Sequence, residues 1–229
     1  MIQSTTFETE NIGLKIGNYE INLTVITNLD DLFDALISKG KDHEDVQDER
    51  IPYWAELWAS AIAMGEYLVE NQLITAETEV LEIGCGLGLP SIIAGFQGAK
   101  KVIVSDYFQE ALDFAELNWH QNLPHKKAQF LKLDWREPTP SVKTDILLAS
   151  DVAYEARAFV PLLNAFDTLL KPNGTILISE PNRPISKSFF SNLHTHKEYS
   201  VKNTEKTVNR KGHDFLINIY ELKRMRESK

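Results

Sequence analysis

The stretch Val80-Leu81-Glu82-Ile83-Gly84-Cys85-Gly86-Leu87-Gly88 runs from a short apolar strand into a loop with glycine at alternate positions. Residues 89–96 continue it as an apolar helix. Glycine lets a chain turn sharply and brings its backbone up to a ligand with no side chain in between. The start of a helix adds unpaired N–H groups. A plain strand-to-helix turn uses the same residues, so the glycines alone name no ligand. Two details narrow the reading. The dinucleotide-binding fingerprint is G-x-G-x-x-G, whereas this loop reads G-x-G-x-G. Glu82 also sits inside the apolar strand, where a carboxylate is costly unless it has donors nearby. The expected donors are the loop's own N–H groups or a cationic group on a ligand.

The strand-helix unit recurs downstream. Strands are predicted over residues 101–104, 128–133, 144–150 and 175–179, the stretch Ile146-Leu147-Leu148 being apolar as in a strand covered on both faces. Helices are predicted over residues 109–120 and 185–193. A further helix carries Phe159, Leu162, Leu163, Phe166, Leu169 and Leu170 on one face, with Pro161 in its first turn and Lys171-Pro172-Asn173-Gly174 at its end. The alternating stretches 199–207 and 215–222 form a pair joined through Asn209-Arg210-Lys211-Gly212.

Upstream, residues 12–26 read as a hairpin turning at Gly17-Asn18. Asn28 or Asp30 caps a short helix with Leu32, Phe33, Leu36 and Ile37 on one face. Residues 39–50 are charged and read as a solvated linker, or as a segment that orders over a bound ligand. Residues 52–70 read as a helix with Leu57, Ala61, Met64 and Leu68 aligned. The sum is an α/β fold with a doubly wound, seven-stranded, Rossmann-like sheet, mostly parallel, whose last two strands form an antiparallel hairpin. An N-terminal extension of hairpin, helix and charged linker spans residues 1–50. A ligand-binding domain spans residues 51–229.

Composition excludes several classes. A formal net charge of -9 argues against a nucleic-acid partner and against docking on anionic membranes. Cys85 is the single cysteine, so neither an intramolecular disulfide nor a cysteine zinc site can form, and no metal is expected. No stretch is apolar for long enough to span a bilayer. The start of the chain shows no basic or apolar leader. A monomeric, cytoplasmic protein is the expectation.

Ligands on doubly wound sheets bind beyond the carboxyl ends of the strands. Asp106, about 20 residues past the glycines, suits ribose hydroxyls, or else caps the next helix. Asp134-Trp135 after the third strand could meet a purine amino group and ring, or be turn and rim residues. Ser150-Asp151-Val152-Ala153-Tyr154 follows the fourth strand. Asp151 could aim an acceptor amine and take its proton through water, with Tyr154 offering a π-face. Arg183, in Glu180-Pro181-Asn182-Arg183-Pro184, could pair with Glu180 or with a substrate carboxylate, a structural ion pair being the expectation. The aromatics of Pro52-Tyr53-Trp54-Ala55-Glu56-Leu57-Trp58 suit either a core or a cavity wall.

With these residues in place, the chain resembles the class I S-adenosylmethionine-dependent methyltransferases. More narrowly, it resembles the family sixteen protein-lysine methyltransferases and their bacterial relatives described as nicotinamide N-methyltransferase-like. The stretches that carry the resemblance are PYWAELWASA, VLEIGCGLGLPSI, VSDY, LDW, DILLASDVAYE and ISEPNRP, scattered over residues 52–184. The resemblance implies S-adenosyl-L-methionine as cofactor, held by Trp58, Gly84, Gly86, Gly88, Asp106 and Trp135; Glu82 and Ser150 are added as cofactor-binding candidates from their places in and after the strands. It places Asp151 and Tyr154, the D-x-x-Y box, beside the acceptor as the catalytic candidates. It implies methylation of a lysine side chain on a protein partner. The alternatives are N-methylation of a small molecule such as nicotinamide or another pyridine, an NAD-dependent oxidoreductase, and a non-catalytic interaction module.

Overall fold

A computed structural model describes residues 7–47, 50–195 and 199–224. The leader reading of the first residues therefore falls largely outside the described residues, as do positions 48 and 49 of the charged segment. The chain begins with β1 (Thr9–Ile16) and β2 (Tyr19–Ile26), paired antiparallel through the two-residue turn Gly17-Asn18. Helices α1 (Leu29–Ser38) and α2 (Glu44–Gln47) follow, then α3 (Ala59–Asn71). From there β3 (Glu79–Ile83), α4 (Leu89–Phe96), β4 (Lys101–Asp106), α5 (Gln109–Asn122), β5 (Gln129–Lys132) and β6 (Thr144–Ser150) alternate. The chain ends with α6 (Phe159–Leu169), β7 (Leu170–Glu180), α7 (Lys187–Thr195), β8 (Tyr199–Arg210) and β9 (His213–Arg224).

Seven strands form one sheet in the order β5-β4-β3-β6-β7-β9-β8. Pairing is parallel from β5 to β7, while β9 runs antiparallel to both β7 and β8. Because side chains alternate faces along a strand, each central strand feeds two cores. Val80, Val102, Val104, Ile146 and Leu148 pack with α3, α4 and α5. Leu81, Ile83, Ile103, Leu147 and Ala149 pack with α6 and α7. This is the doubly wound sheet that the alternating pattern predicts.

Four local readings change. The helix expected from residue 52 begins only at Ala59. Before it, Tyr53–Ala55 makes a 3-10 turn, and Glu56 and Trp58 are extended. The Trp58 indole N–H donates to the Tyr53 carbonyl at 2.8 Å, so a side chain takes the bond that a continuous helix would have supplied. In α1 the expected apolar face is narrower: Leu32 is buried, Phe33 and Leu36 are half-buried, and Ile37 is 72% exposed. Lys171-Pro172-Asn173-Gly174 does not follow the helix as a separate stop. Helix α6 ends at Leu169, and these residues bulge within β7, whose register to β6 jumps between the pairs Thr144↔Leu170 and Ile146↔Thr175. The charged segment folds around Asp45, whose carboxylate accepts from Lys39 at 2.5 Å and Arg50 at 2.6 Å, because opposite charges flank it on both sides.

The N-terminal hairpin is joined to the sheet domain through asparagine side chains. Asn118 Oδ1 accepts from the Thr24 N–H at 2.7 Å, and its Nδ2 donates to the Thr24 carbonyl at 3.3 Å. One turn on, Asn122 repeats the exchange with Asn22, at 2.9 and 2.7 Å. The spacing matches because four helical residues rise about 6 Å and two strand residues about 6.8 Å. Two carboxamides of α5 thus stand in for a neighbouring strand along β2. Asn118 Nδ2 also donates to the Leu87 carbonyl at 3.1 Å, tying the glycine loop into the same contact. Asn118→Ala leaves buried peptide groups unpaired, each costing about 1–3 kcal/mol. Urea unfolding is expected to show a loss of about 2–4 kcal/mol, and an unchanged midpoint would show that the pairing does not hold the hairpin.

Candidate functional site

The sheet order reverses between β3 and β6, and a cavity of about 380 Å³ opens above that point. This is within the range of about 300–1,000 Å³ typical of small-molecule sites. The loop after β3 forms its floor. Gly84 and Gly86 take φ of 62° and 50°. A Cβ on Gly84 would lie 2.9 Å from the Trp135 ring, and one on Gly86 would lie 3.0 Å from the Trp54 carbonyl. Both the backbone conformation and the close approach therefore require glycine.

Trp58, Gly84, Gly86, Gly88, Asp106, Trp135 and Ser150 all line this cavity, as do Asp151 and Tyr154. Glu82 does not. It lies beneath the loop, fully buried, and its Oε2 accepts from the Ser91 N–H at 3.0 Å and the Ser91 hydroxyl at 2.5 Å. Its donors are thus in the first turn of α4 rather than among the loop's own N–H groups. Burial pushes the Glu82 carboxyl up to about 8, against the lowering effect of the Ser91 bonds, and the nearby Asp106 adds to the rise.

Asp106 bridges the glycine loop and the entry to the next helix. Its Oδ2 accepts from the Gly86 N–H and its Oδ1 from the Phe108 N–H, each at 3.0 Å. It therefore shapes the glycine loop and the entry to α5 while remaining on the cavity wall. Burial raises its carboxyl above the usual range, against the backbone donors. Cys85, buried in the same loop, has its thiol pushed up by burial and by Asp106 and Glu82. The Ser150 hydroxyl is buried and has no hydrogen-bond partner among the described residues.

Asp151 is held on several sides. Its N–H donates to the Ser179 carbonyl at 2.8 Å, and its φ is 58°. Its Oδ1 accepts from Arg183 Nη1, and its Oδ2 from Arg183 Nη2 at 3.2 Å and from the Ser60 hydroxyl at 3.3 Å. Burial raises its carboxyl above the usual range, against the pull of Arg183 and Ser60. The ion pair expected of Arg183 is present, but its acid is Asp151. Glu180 meets only the Arg183 backbone N–H, at 3.1 Å, because its carboxylate is also taken by the Ser186 hydroxyl at 2.8 Å.

Aromatic rings complete the wall. Tyr53 meets Tyr154 edge-to-face at 5.3 Å and Trp58 at 6.1 Å. Burial, with Glu155 second, pushes the Tyr154 hydroxyl up to about 12. Tyr107 was legible as a strand-end residue beside Asp106 yet was missed. The Arg50 and Arg136 guanidinium groups each lie 5.2 Å from its ring centre. Ser60, which reaches Asp151, lies within PYWAELWASA but is not singled out there by its own chemistry. Among the described residues, no group of three or more His, Cys, Asp or Glu side chains could hold a metal ion, and no helix is long and apolar enough to cross a membrane.

Comparison with known proteins supports the same region. Residues 44–196 match a family model described as lysine methyltransferase. The chain is 30% identical over 160 residues to the protein N-terminal and lysine N-methyltransferase EFM7 of Cryptococcus neoformans var. neoformans, covering 63% of this chain and 54% of that protein. It is 28% identical to the electron transfer flavoprotein beta subunit lysine methyltransferase of Xenopus laevis, covering 69% and 65%. The matches thus span roughly half to two thirds of the length of these curated relatives. Among solved structures, magnesium protoporphyrin IX methyltransferase from Synechocystis PCC 6803 aligns with a TM-score of 0.59 at 17% identity, covering 87% of this chain and 92% of that one. At that identity the likeness is one of fold.

The raised carboxyl of Glu82 has a consequence for stability. Folded, it holds its proton up to about 8; unfolded, it releases it at the ordinary value of 4.5. Its contribution is complete below the lower value and is lost as pH rises through the upper one. Stability is therefore expected to fall across that window, and Glu82→Gln to flatten the fall. Urea midpoints of both proteins on either side of the window check this. Equal slopes would assign the pH dependence to other groups.

Proposed function

The chain belongs to the lysine methyltransferase family, and we propose that it transfers a methyl group from S-adenosylmethionine to a lysine side chain of a protein. The observation that carries this reading is the convergence of the glycine loop, Asp106, Asp151 and Tyr154 on one cavity. The cavity suits the cofactor chemically. It is lined by the glycine-loop backbone at Gly84, Gly86 and Gly88, by a buried acid at the end of β4, and by the aromatic rings of Trp58 and Trp135.

In this reading the loop backbone and Trp58 hold the methionine part, Asp106 accepts from the ribose, and Trp135 covers the adenine. Glu82 supports the loop by fixing α4 rather than by touching the ligand. The bound sulfonium supplies an electrophilic methyl group. The acceptor must present a lone pair, and a lysine amine ordinarily holds its proton up to about 10.4. Tyr53, Trp58 and Tyr154 line the approach with aromatic surface. Loss of water along that approach lowers the amine's affinity for its proton, which is given up to solvent as the lysine enters, while the ring faces favour the cationic sulfonium. Asp151, at the end of β6, accepts a hydrogen bond from the amine and aims it.

Incubation with methyl-labelled S-adenosylmethionine and a cell extract, followed by mass spectrometry, is expected to place the label on lysine in a protein. Label confined to a small metabolite such as a pyridine would overturn the lysine reading. Asp106→Ala removes acceptors for ribose hydroxyls, each bond to a charged group being worth about 1.5–3 kcal/mol. Calorimetry is expected to show S-adenosylmethionine affinity reduced by more than about tenfold. Unchanged affinity would take Asp106 out of the cofactor site.

A further inference from the structure

Arg183 does not line the cavity, yet it touches two residues that do. Its guanidinium makes two bonds to the Asp151 carboxylate, and it lies 5.9 Å from the Trp58 ring centre. The loop that carries it is built firmly. The Arg183 N–H donates to Glu180 Oε2, the Ser186 hydroxyl shares its one proton between the same oxygen and the Arg183 carbonyl, and Asn182 takes a φ of 56°. We propose that Arg183 is a positioning residue for methyl transfer, acting on the acceptor through Asp151 from behind the cavity wall. The proposal rests on the lysine-methylation reading above.

Two physical effects follow from the fork. A planar guanidinium bound through both nitrogens fixes the plane of the carboxylate, which a point charge cannot do. The pair is also close to neutral as a unit. An unpaired Asp151 carboxylate would attract and retain a charged ammonium, the form that cannot accept a methyl group. With Arg183 in place, Asp151 keeps acceptor capacity for an amine N–H but offers little net charge to the protonated form. Ser60 adds one donor to Asp151 Oδ2, and the Ser60 carbonyl accepts from the Ser179 hydroxyl at 2.8 Å. The carboxylate is thus oriented from α3, from β7 and from the loop after β7.

The test is a double-mutant cycle on the full chain. Wild type, Arg183→Gln, Asp151→Asn and the double variant are assayed for label transfer from S-adenosylmethionine to extract protein, with cofactor affinity measured by calorimetry. Arg183→Gln is expected to lower the maximal rate on the order of 10- to 100-fold, the scale of a small misplacement of a reacting group. It should leave cofactor affinity unchanged, and it should add nothing in the Asp151→Asn background. Arg183→Lys should recover part of the rate, since it keeps the charge and loses the fork. Equal losses in both backgrounds, or a loss of cofactor affinity in step with the rate, would overturn the proposal. Full activity of Asp151→Asn would also overturn it. Should Arg183→Gln fail to fold, Arg183→Lys carries the same comparison, with a reduced rate beside Asp151 and no further loss in the Asp151→Asn background. A wild-type protein that binds S-adenosylmethionine but labels no protein would instead reject the lysine reading itself.

Discussion

Strands β3 and β6 lie side by side in the sheet, but the chains leaving them turn to opposite faces. The one enters α4 in one core, and the other leads to α6 in the second core. Two backbones that part in this way leave a gap that neither can fill. Every element of the site is placed by that divergence. The glycine loop is one lip, Ser150-Asp151-Val152 is the other, and the neighbouring end of β4 supplies Asp106. The segment before α3, with Tyr53, Trp54 and Trp58, adds a further part of the lining. The site is a property of the winding, and particular side chains then give it chemistry.

The carboxyls in this region show how that chemistry is kept affordable. Glu82, Asp106 and Asp151 are all buried, and burial raises each above its usual range. Each has a different set of donors. Glu82 takes the first turn of a helix, Asp106 takes two loop N–H groups, and Asp151 takes a guanidinium and a hydroxyl. Only Asp106 and Asp151 also face the cavity. Asp106 does both, binding the glycine loop through the Gly86 N–H and lining the cavity.

Much of this was legible in the sequence because it is written locally. Alternation and apolar runs fixed the strands and helices from β3 onward, and the placement of residues after strand ends pointed to Asp106, Asp151 and Tyr154. What was not legible depends on pairs brought together by topology. Arg183 and Glu180 are three residues apart, so their pairing looked natural. Arg183 instead meets Asp151, because β6 and β7 are neighbours and Ser150 stands opposite Ser179. The late start of α3 is a similar case. The apolar spacing of residues 57–68 is helical, but one indole N–H bound back to Tyr53 holds the first residues in another conformation.

The asparagine pairing between α5 and β2 bears on how the chain avoids sticking to itself. A two-stranded hairpin offers an open row of peptide groups on each outer side, and such edges recruit strands from other molecules. Here the outward groups of Asn22 and Thr24 are already bound by side chains that cannot extend into a further strand. Each carboxamide gives one donor and one acceptor to the strand, and its second N–H is spent on the carbonyl of Leu87 or Asn118. Helix α5 therefore ends the ladder chemically on this edge, and the hairpin gains a neighbour without becoming a template for another chain.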